Sequence, residues 1–257
     1  MSKNRYFIEF SYDGSSYHGF QKQLNAITVQ EIVENAISKI LRGEISIISA
    51  GRTDTGVHAV NMFAHFDYDI KSKIEESNFC YLINRLLPAD IAVKAIHEVK
   101  PDSHSRFDAI SRTYNYYITD TKNPFNHRYR YYLSEELNYS KMNKASKKLY
   151  KYDDFKSFSK SNTDVKTFDC KITNAIWVKS EDGWKFVITS NRFLRNMVRA
   201  IVGTLIEIGK GRLRINDLDK IIQSKDRRNA GYSVPAEGLF LKEIIYNKEI
   251  FIESWKK

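Results

Sequence analysis

From Ile45 to Tyr68 the chain reads ISIISAGRTDTGVHAVNMFAHFDY. Its first six residues, Ile45 to Ala50, are apolar enough for a short buried strand. Val60, Met62, Ala64, Phe66 and Tyr68 alternate onto one face of a second strand. Between them lies Gly51-Arg52-Thr53-Asp54-Thr55-Gly56-Val57-His58-Ala59, a loop in which two glycines and two threonines crowd one carboxylate and one guanidinium. Gly51 and Gly56 allow a tight backbone path and the close approach of a ligand. Arg52 and the loop N–H groups would hold Asp54 ionised and aimed, which suits a nucleophile. The plainer reading is a glycine turn capped by its Asp; nine residues of this kind together favour a site.

Outward from this loop, Tyr6, Ile8, Phe10 and Tyr12 alternate with Phe7, Glu9 and Ser11 in a first strand that ends at Asp13-Gly14. Thr28-Val29-Gln30-Glu31 reads as a capping box, opening a helix whose stripe of Ile32, Val33, Ala36, Ile37, Ile40 and Leu41 stops at Gly43. Ser72-Lys73-Ile74-Glu75 reads as a second box, opening a helix with Phe79, Leu82, Ile83, Leu86 and Leu87 inward and Pro88 just beyond. A strand follows over Ile91 to Val99. Strand, helix, strand, strand, helix, strand is the ferredoxin-like unit.

The second half repeats that order without a visible sequence repeat. Strands are expected over Thr113 to Thr119, Lys171 to Val178, Trp184 to Ser190 and Leu239 to Ile245. Helices are expected over Ser140 to Tyr150 and Phe193 to Ile208, with a short extra one at Asp217 to Gln223. The fold class is therefore α+β, with two ferredoxin-like domains. Lys100 to Asp108, polar and holding Pro101, is the best boundary, which gives domains 1–104 and 105–257.

At 257 residues the chain has ample length for a core. It has no apolar run of membrane-spanning length, and Met1 to Phe10 has no signal-peptide apolar region, so a cytoplasmic protein without a membrane partner is expected. Cys80 and Cys170 form no Cys-x-x-Cys and read as buried thiols rather than a disulfide framework or zinc site. His58 and His65 have no third ligand at metal spacing and read as structural.

The net charge of +10 is unevenly placed. Residues 1–104 carry 11 Lys or Arg against 13 Asp or Glu; residues 105–257 carry 30 against 18. A basic second half suits a polyanion whose phosphates supply salt-dependent affinity. Arg128 and Arg130 contribute, as do Lys141, Lys144, Lys148 and Lys151, which share one face if helical. Arg192, Arg195 and Arg199 likewise stand at helical spacing, opposite Leu194, Met197, Val198, Ile201, Val202 and Leu205.

Five motifs together resemble the tRNA pseudouridine synthase A family: the GRTDTGVHA loop, and four that flank it. The opening is Tyr12-Asp13-Gly14-Ser15 with Gly19-Phe20-Gln21-Lys22-Gln23 and Thr28-Val29-Gln30. Then come Ser111-Arg112-Thr113-Tyr114, and Phe193-Leu194-Arg195-Asn196-Met197-Val198-Arg199 with Ile201-Val202-Gly203-Thr204-Leu205, and last Glu237-Gly238-Leu239. Phe20 stands where that family usually has Trp, and Phe240 where it often has Tyr.

The resemblance implies two ferredoxin-like domains related by a pseudo-two-fold, their sheets joined into one mixed, mainly antiparallel sheet around a central cleft. It implies a homodimer acting without cofactor or metal on uridines of the tRNA anticodon stem-loop, at about positions 38 to 40, in a base-flipping isomerisation. By it Asp54 is the catalytic carboxylate. Attack on the sugar, attack on the base and proton abstraction to a glycal all remain open to that carboxylate. Arg52 would occupy the space left by the flipped base, where a flat guanidinium can stack. Tyr114 would stack on the base and help move the C5 proton. Arg199 would pair with Asp54, Leu239 would lie under the base, and Arg112 and Arg195 count with the substrate-binding residues.

Two other readings compete with this one. Asp54-Thr55-Gly56 is also the tripeptide of aspartic proteases, but no second Asp-Thr/Ser-Gly is present to share a proton. Paired ferredoxin-like units with many aromatic residues, 16 Tyr and 15 Phe, also suit an RNA-binding module without catalysis.

Overall fold

The computed structural model describes residues 4–68, 75–161 and 165–252. Its first half runs β1 (Asn4–Tyr12), α1 (Val29–Leu41), β2 (Ile48–Ser49), β3 (His58–Tyr68), α2 (Glu76–Leu86) and β4 (Ile91–Val99). β1 lies between β4 and β3, antiparallel to both, and β2 pairs with β3. This is the ferredoxin-like order. Ile8 sits opposite both Ala64 and Ile96, and Phe7, Ile8 and Phe10 are fully buried. Each such side chain stabilises the fold by roughly 1.5–3 kcal/mol.

The strand expected over Ile45 to Ala50 is shorter than its composition suggests: only Ile48 and Ser49 pair, with His65 and Ala64. The reason is local. The Ile45 N–H donates to Ser38 Oγ and the Ile47 N–H to Glu34 Oε1, so α1 takes the backbone groups a longer strand would have used. Burial follows the same division, with Ile45 and Ile47 buried and Ile48 exposed.

The first capping box holds in position but not in chemistry. Thr28 is the N-cap of α1, yet its side chain makes no capping bond and its buried hydroxyl has no partner. Gln30 works elsewhere, donating to Glu34 and to the Ile47 carbonyl while accepting from the Lys22 N–H. Ser72, Lys73 and Ile74 of the second box lie outside the described residues. α2 itself starts at Glu76, after Glu75 in extended conformation.

The second half contains β5 (Ala109–Thr119), β6 (Tyr131–Tyr132), α3 (Tyr139–Ser146), β7 (Ile172–Ser180), β8 (Gly183–Ser190), α4 (Met197–Gly209), α5 (Asp217–Ser224) and β9 (Leu239–Tyr246). Its strands stand in the order β9-β5-β8-β7, again ferredoxin-like, and β6 adds a short parallel pairing to β5. The protein is thus α+β, its sheet mixed but mainly antiparallel. α4 is buried on nearly every side; only Arg199 and Glu207 along it are not.

Two helical readings are corrected. α3 ends at Ser146 and continues as a tighter 3-10 turn over Lys147–Lys151. Lys148 is then drawn 2.6 Å from Asp219. The helix expected from Phe193 begins only at Met197, because Asn196 takes a left-handed conformation with φ 68°. Arg192 and Arg195 therefore precede α4 and share no helical face with Arg199.

By packing, the chain divides into Met1–Ile110 with Leu241–Lys257, and Ser111–Phe240. The boundary at 104/105 rests on composition; packing divides the chain six residues later and returns the last segment to the first unit. Tyr246 explains part of that return, packing on Phe7 and Phe63 at ring distances of 5.3 and 5.1 Å, with its hydroxyl donating to the Ser105 carbonyl. Phe251 adds an edge contact to Phe7 and bridges to Val99. No helix among the described residues is long and apolar enough to cross a membrane.

Candidate active site

In the first unit the loop between β2 and β3 is held from several directions. Past β2 the ladder continues through the Ala50 N–H to the Phe63 carbonyl, and the Val57 N–H closes a turn on the Asp54 carbonyl at 3.1 Å. Gly56, third residue of that turn, has φ 77°, which favours glycine. Gly51 has no such need, since a Cβ there would meet nothing within 4 Å. The second glycine the loop requires is Gly19: its φ is 88° and a Cβ on it would press on the Thr53 carbonyl at 2.8 Å. The Phe20 N–H donates to that same carbonyl.

The side chains complete the hold. Tyr12, at the end of β1, and Thr53 share a buried hydroxyl–hydroxyl bond of 2.8 Å. The Gly14 N–H donates to His58 Nδ1, and Asp13 Oδ1 lies 3.0 Å from that nitrogen. Asp54 is half-buried on this fixed turn, and Arg52, at the other end, is exposed. Arg52 forms no hydrogen bond or ion pair among the described residues, so the expected Arg52–Asp54 pairing is not made.

In the second unit Tyr114 lies on β5 opposite Ile188 of β8, half-buried, with its ring edge-to-face on Phe193 at 5.1 Å. Arg112, two residues earlier, donates to the Asn191 carbonyl at 2.7 Å. Arg199 Nε donates to the Val234 carbonyl at 2.6 Å, which fixes the plane of its guanidinium. Arg195 is exposed, its carbonyl bound by the Lys160 N–H. Leu239 is buried at the start of β9, behind a 3-10 turn at Ala236–Gly238. Arg130 is committed to structure: it covers the Tyr117 ring at 5.3 Å and pairs with Asp182.

The structure gathers Arg52 and Asp54 on one loop of the first unit, and Arg112, Tyr114 and Phe193 around the β5–β8 pair of the second. Thr53 and Phe193 have supporting roles that the sequence reading did not assign, and His58 takes the structural role expected of it. Thr53 and His58 stood inside the quoted loop, and Phe193 headed the arginine motif; only the folded chain pairs them with Tyr12, Asp13 and Tyr114.

His65 is buried beside Ser105, with its ring 4.6 Å from His104. Burial, then repulsion from His104, lowers its pKa to about 4. Cys170 is buried and Cys80 half-buried; both thiols are free and pushed up to about 11, chiefly by burial. No cluster among the described residues has the three ligands a metal would need.

A twice-used ferredoxin-like order, a basic second half and a carboxylate on a hydrogen-bonded turn suit an α+β protein that acts on a polyanion. A family model described as tRNA pseudouridine synthase matches residues 9–108 and 145–247. The chain belongs to that family, isomerases that convert uridine to pseudouridine in tRNA. It is 51% identical to a tRNA pseudouridine synthase A of Bacteroides fragilis over 98% of this chain and 100% of that one. Its identity to the Porphyromonas gingivalis protein of the same name is 48%, over 96% and 99% of the two chains. To the Staphylococcus aureus (MRSA252) protein of that name it is 35%, over 98% and 95%.

Proposed function

We propose that the protein isomerises uridine to pseudouridine in the anticodon stem-loop of tRNA, at about positions 38 to 40, using Asp54 as nucleophile on a base turned out of its stack. The observation that carries this reading is the half-buried Asp54 on a turn whose backbone is fixed by Gly19, Phe20 and the Tyr12–Thr53 bond. A nucleophile gains most when its approach is set before substrate arrives. The reaction breaks the bond from uracil N1 to ribose C1′, turns the base and joins C5 to C1′. A proton leaves C5 and one is taken up at N1, so no redox partner or energy source is consumed.

Asp54 opens this exchange, whether by attack on the sugar, by attack on the base or by taking the proton whose loss gives a glycal. Tyr114 supplies an aromatic face for the uracil and a hydroxyl for the C5 proton. Arg199 neutralises the carboxylate, Arg52 fills the vacated stack, Leu239 lies under the base, and Arg112 and Arg195 help to bind the substrate. The basic second half adds sequence-independent affinity. The protein works as a cytoplasmic homodimer, one subunit holding the tRNA body and the other the reacting uridine.

The deciding experiment incubates the protein with unmodified tRNA, labels pseudouridine chemically and maps it. Modification at about positions 38 to 40 is expected; none anywhere would sink the enzyme reading, and modification elsewhere would move the target. Sedimentation at working concentration tests the dimer, and a monomer only would overturn it.

A further inference from the structure

We propose that Arg227 is a positioning residue for the isomerisation, acting through Ser233 on the segment that holds Arg199. This rests on the reading of Arg199 as partner of the catalytic carboxylate. Two successive carbonyls of that segment are decisive. The Val234 carbonyl accepts from Arg199 Nε at 2.6 Å, and the Val234 N–H donates back to the Arg199 carbonyl. The Pro235 carbonyl accepts from the buried Tyr116 hydroxyl at 2.8 Å. Tyr116 follows Tyr114 by two along β5 and so shares its face. One short stretch therefore sets both the arginine and the strand that carries the tyrosine.

What fixes the stretch is a cluster no catalytic role has absorbed. Gly203 of α4 lets the Tyr232 carbonyl approach where a Cβ would collide, and the Gly231 N–H donates to Thr204 Oγ1 at 2.8 Å. Ser233 Oγ then takes two donors, Asn196 Nδ2 at 2.5 Å and Arg227 Nη2 at 2.8 Å. Asn196 is the left-handed residue at which α4 begins, so this hydroxyl ties the start of the helix to the segment. Arg227 Nη1 reaches the Gly231 carbonyl at 2.9 Å and that of Ala230 at 3.4 Å.

The chemistry of Arg227 separates this role from an ordinary surface charge. Its partners are neutral oxygens of one segment, and no carboxylate among the described residues pairs with it. The adjacent Asp226 is engaged instead by Arg228. Burial lowers the Arg227 pKa, as it does for a cation held partly out of water. A forked guanidinium reaches a hydroxyl and two carbonyls from two separate nitrogens, a spread that the single nitrogen of lysine does not offer.

The test compares Arg227→Lys, Arg227→Ala and Ser233→Ala with wild type in three readouts. These are the single-turnover rate on unmodified tRNA, the tRNA Kd across a salt series, and exchange protection of the Arg199 Nε–H by 15N NMR, assigned with Arg199→Lys. The rate should fall at least about tenfold, as for a small displacement of a reacting constellation, with Kd and its salt slope unchanged. The Arg199 Nε–H should lose protection, and Ser233→Thr, which keeps the hydroxyl, should recover most of the rate. A weaker Kd with a shallower salt slope and intact protection would make Arg227 a phosphate contact and overturn the proposal. An unchanged rate would do the same. Should the wild type make no pseudouridine, the functional reading fails by itself, and the Nε–H comparison still decides whether Arg227 holds Arg199.

Discussion

The hydroxyl pair of Tyr12 and Thr53 offers a quantitative test of how the Asp54 loop is held. Tyr12 is 4% exposed and Thr53 8%, and their oxygens are 2.8 Å apart. Tyr12→Phe removes one partner and leaves the Thr53 hydroxyl buried, at a cost of about 1–3 kcal/mol; Thr53→Val removes the other partner. Replacing both removes two polar groups together, so the double variant should lose less than the two single losses added. The expected coupling is about 1 kcal/mol, read as shifts in the urea midpoint at constant slope. Turnover adds a second axis. Each single variant should slow modification, because the turn bearing Asp54 is pinned at the residue before it. Stability losses that add to within about 0.5 kcal/mol would refute the idea that this bond anchors the loop.

Three further outcomes follow from the geometry. Asp54→Ala should abolish pseudouridine formation while tRNA binding persists, since affinity rests on many phosphate contacts; equal loss of both in a filter-binding assay would assign Asp54 to structure. His65 titrates at about 4 when folded against 6.5 ordinarily, so the unfolded chain takes up its proton first as pH falls. Its contribution is complete above pH 6.5 and is lost toward pH 4, at most about 3 kcal/mol; His65→Gln should flatten the unfolding midpoint over that window. Gly203→Ala drives a methyl into the Tyr232 carbonyl and should cost about 1–3 kcal/mol in a denaturant titration, with an unchanged midpoint disproving the close approach.

What could be read from sequence was local and periodic. Alternation in Tyr6 to Tyr12 and the apolar stripe of α1 state their own structure, because one face of each is buried by its neighbours. Phe193 to Ile208 misled for a physical reason: arginines three and four apart imitate a helix, while a single left-handed Asn196 sets the true start. Ile45 to Ala50 misled because propensity cannot see Glu34 and Ser38 taking its N–H groups. The candidate site divides likewise. Asp54, Tyr114 and Arg199 stood in motifs, but the segment from Arg227 to Pro235 that holds Arg199 is assembled from bonds over long sequence separations. No window of residues displays them.

The division of the chain also bears on the order in which it can fold during synthesis. Ser111–Phe240 is continuous, whereas the unit begun by the first strand is finished by residues after Leu241. Phe7 and Phe63 therefore lack Tyr246 and Phe251 until the last segment is synthesised. The first half therefore cannot complete its packing ahead of the second, against the usual amino-to-carboxyl progression.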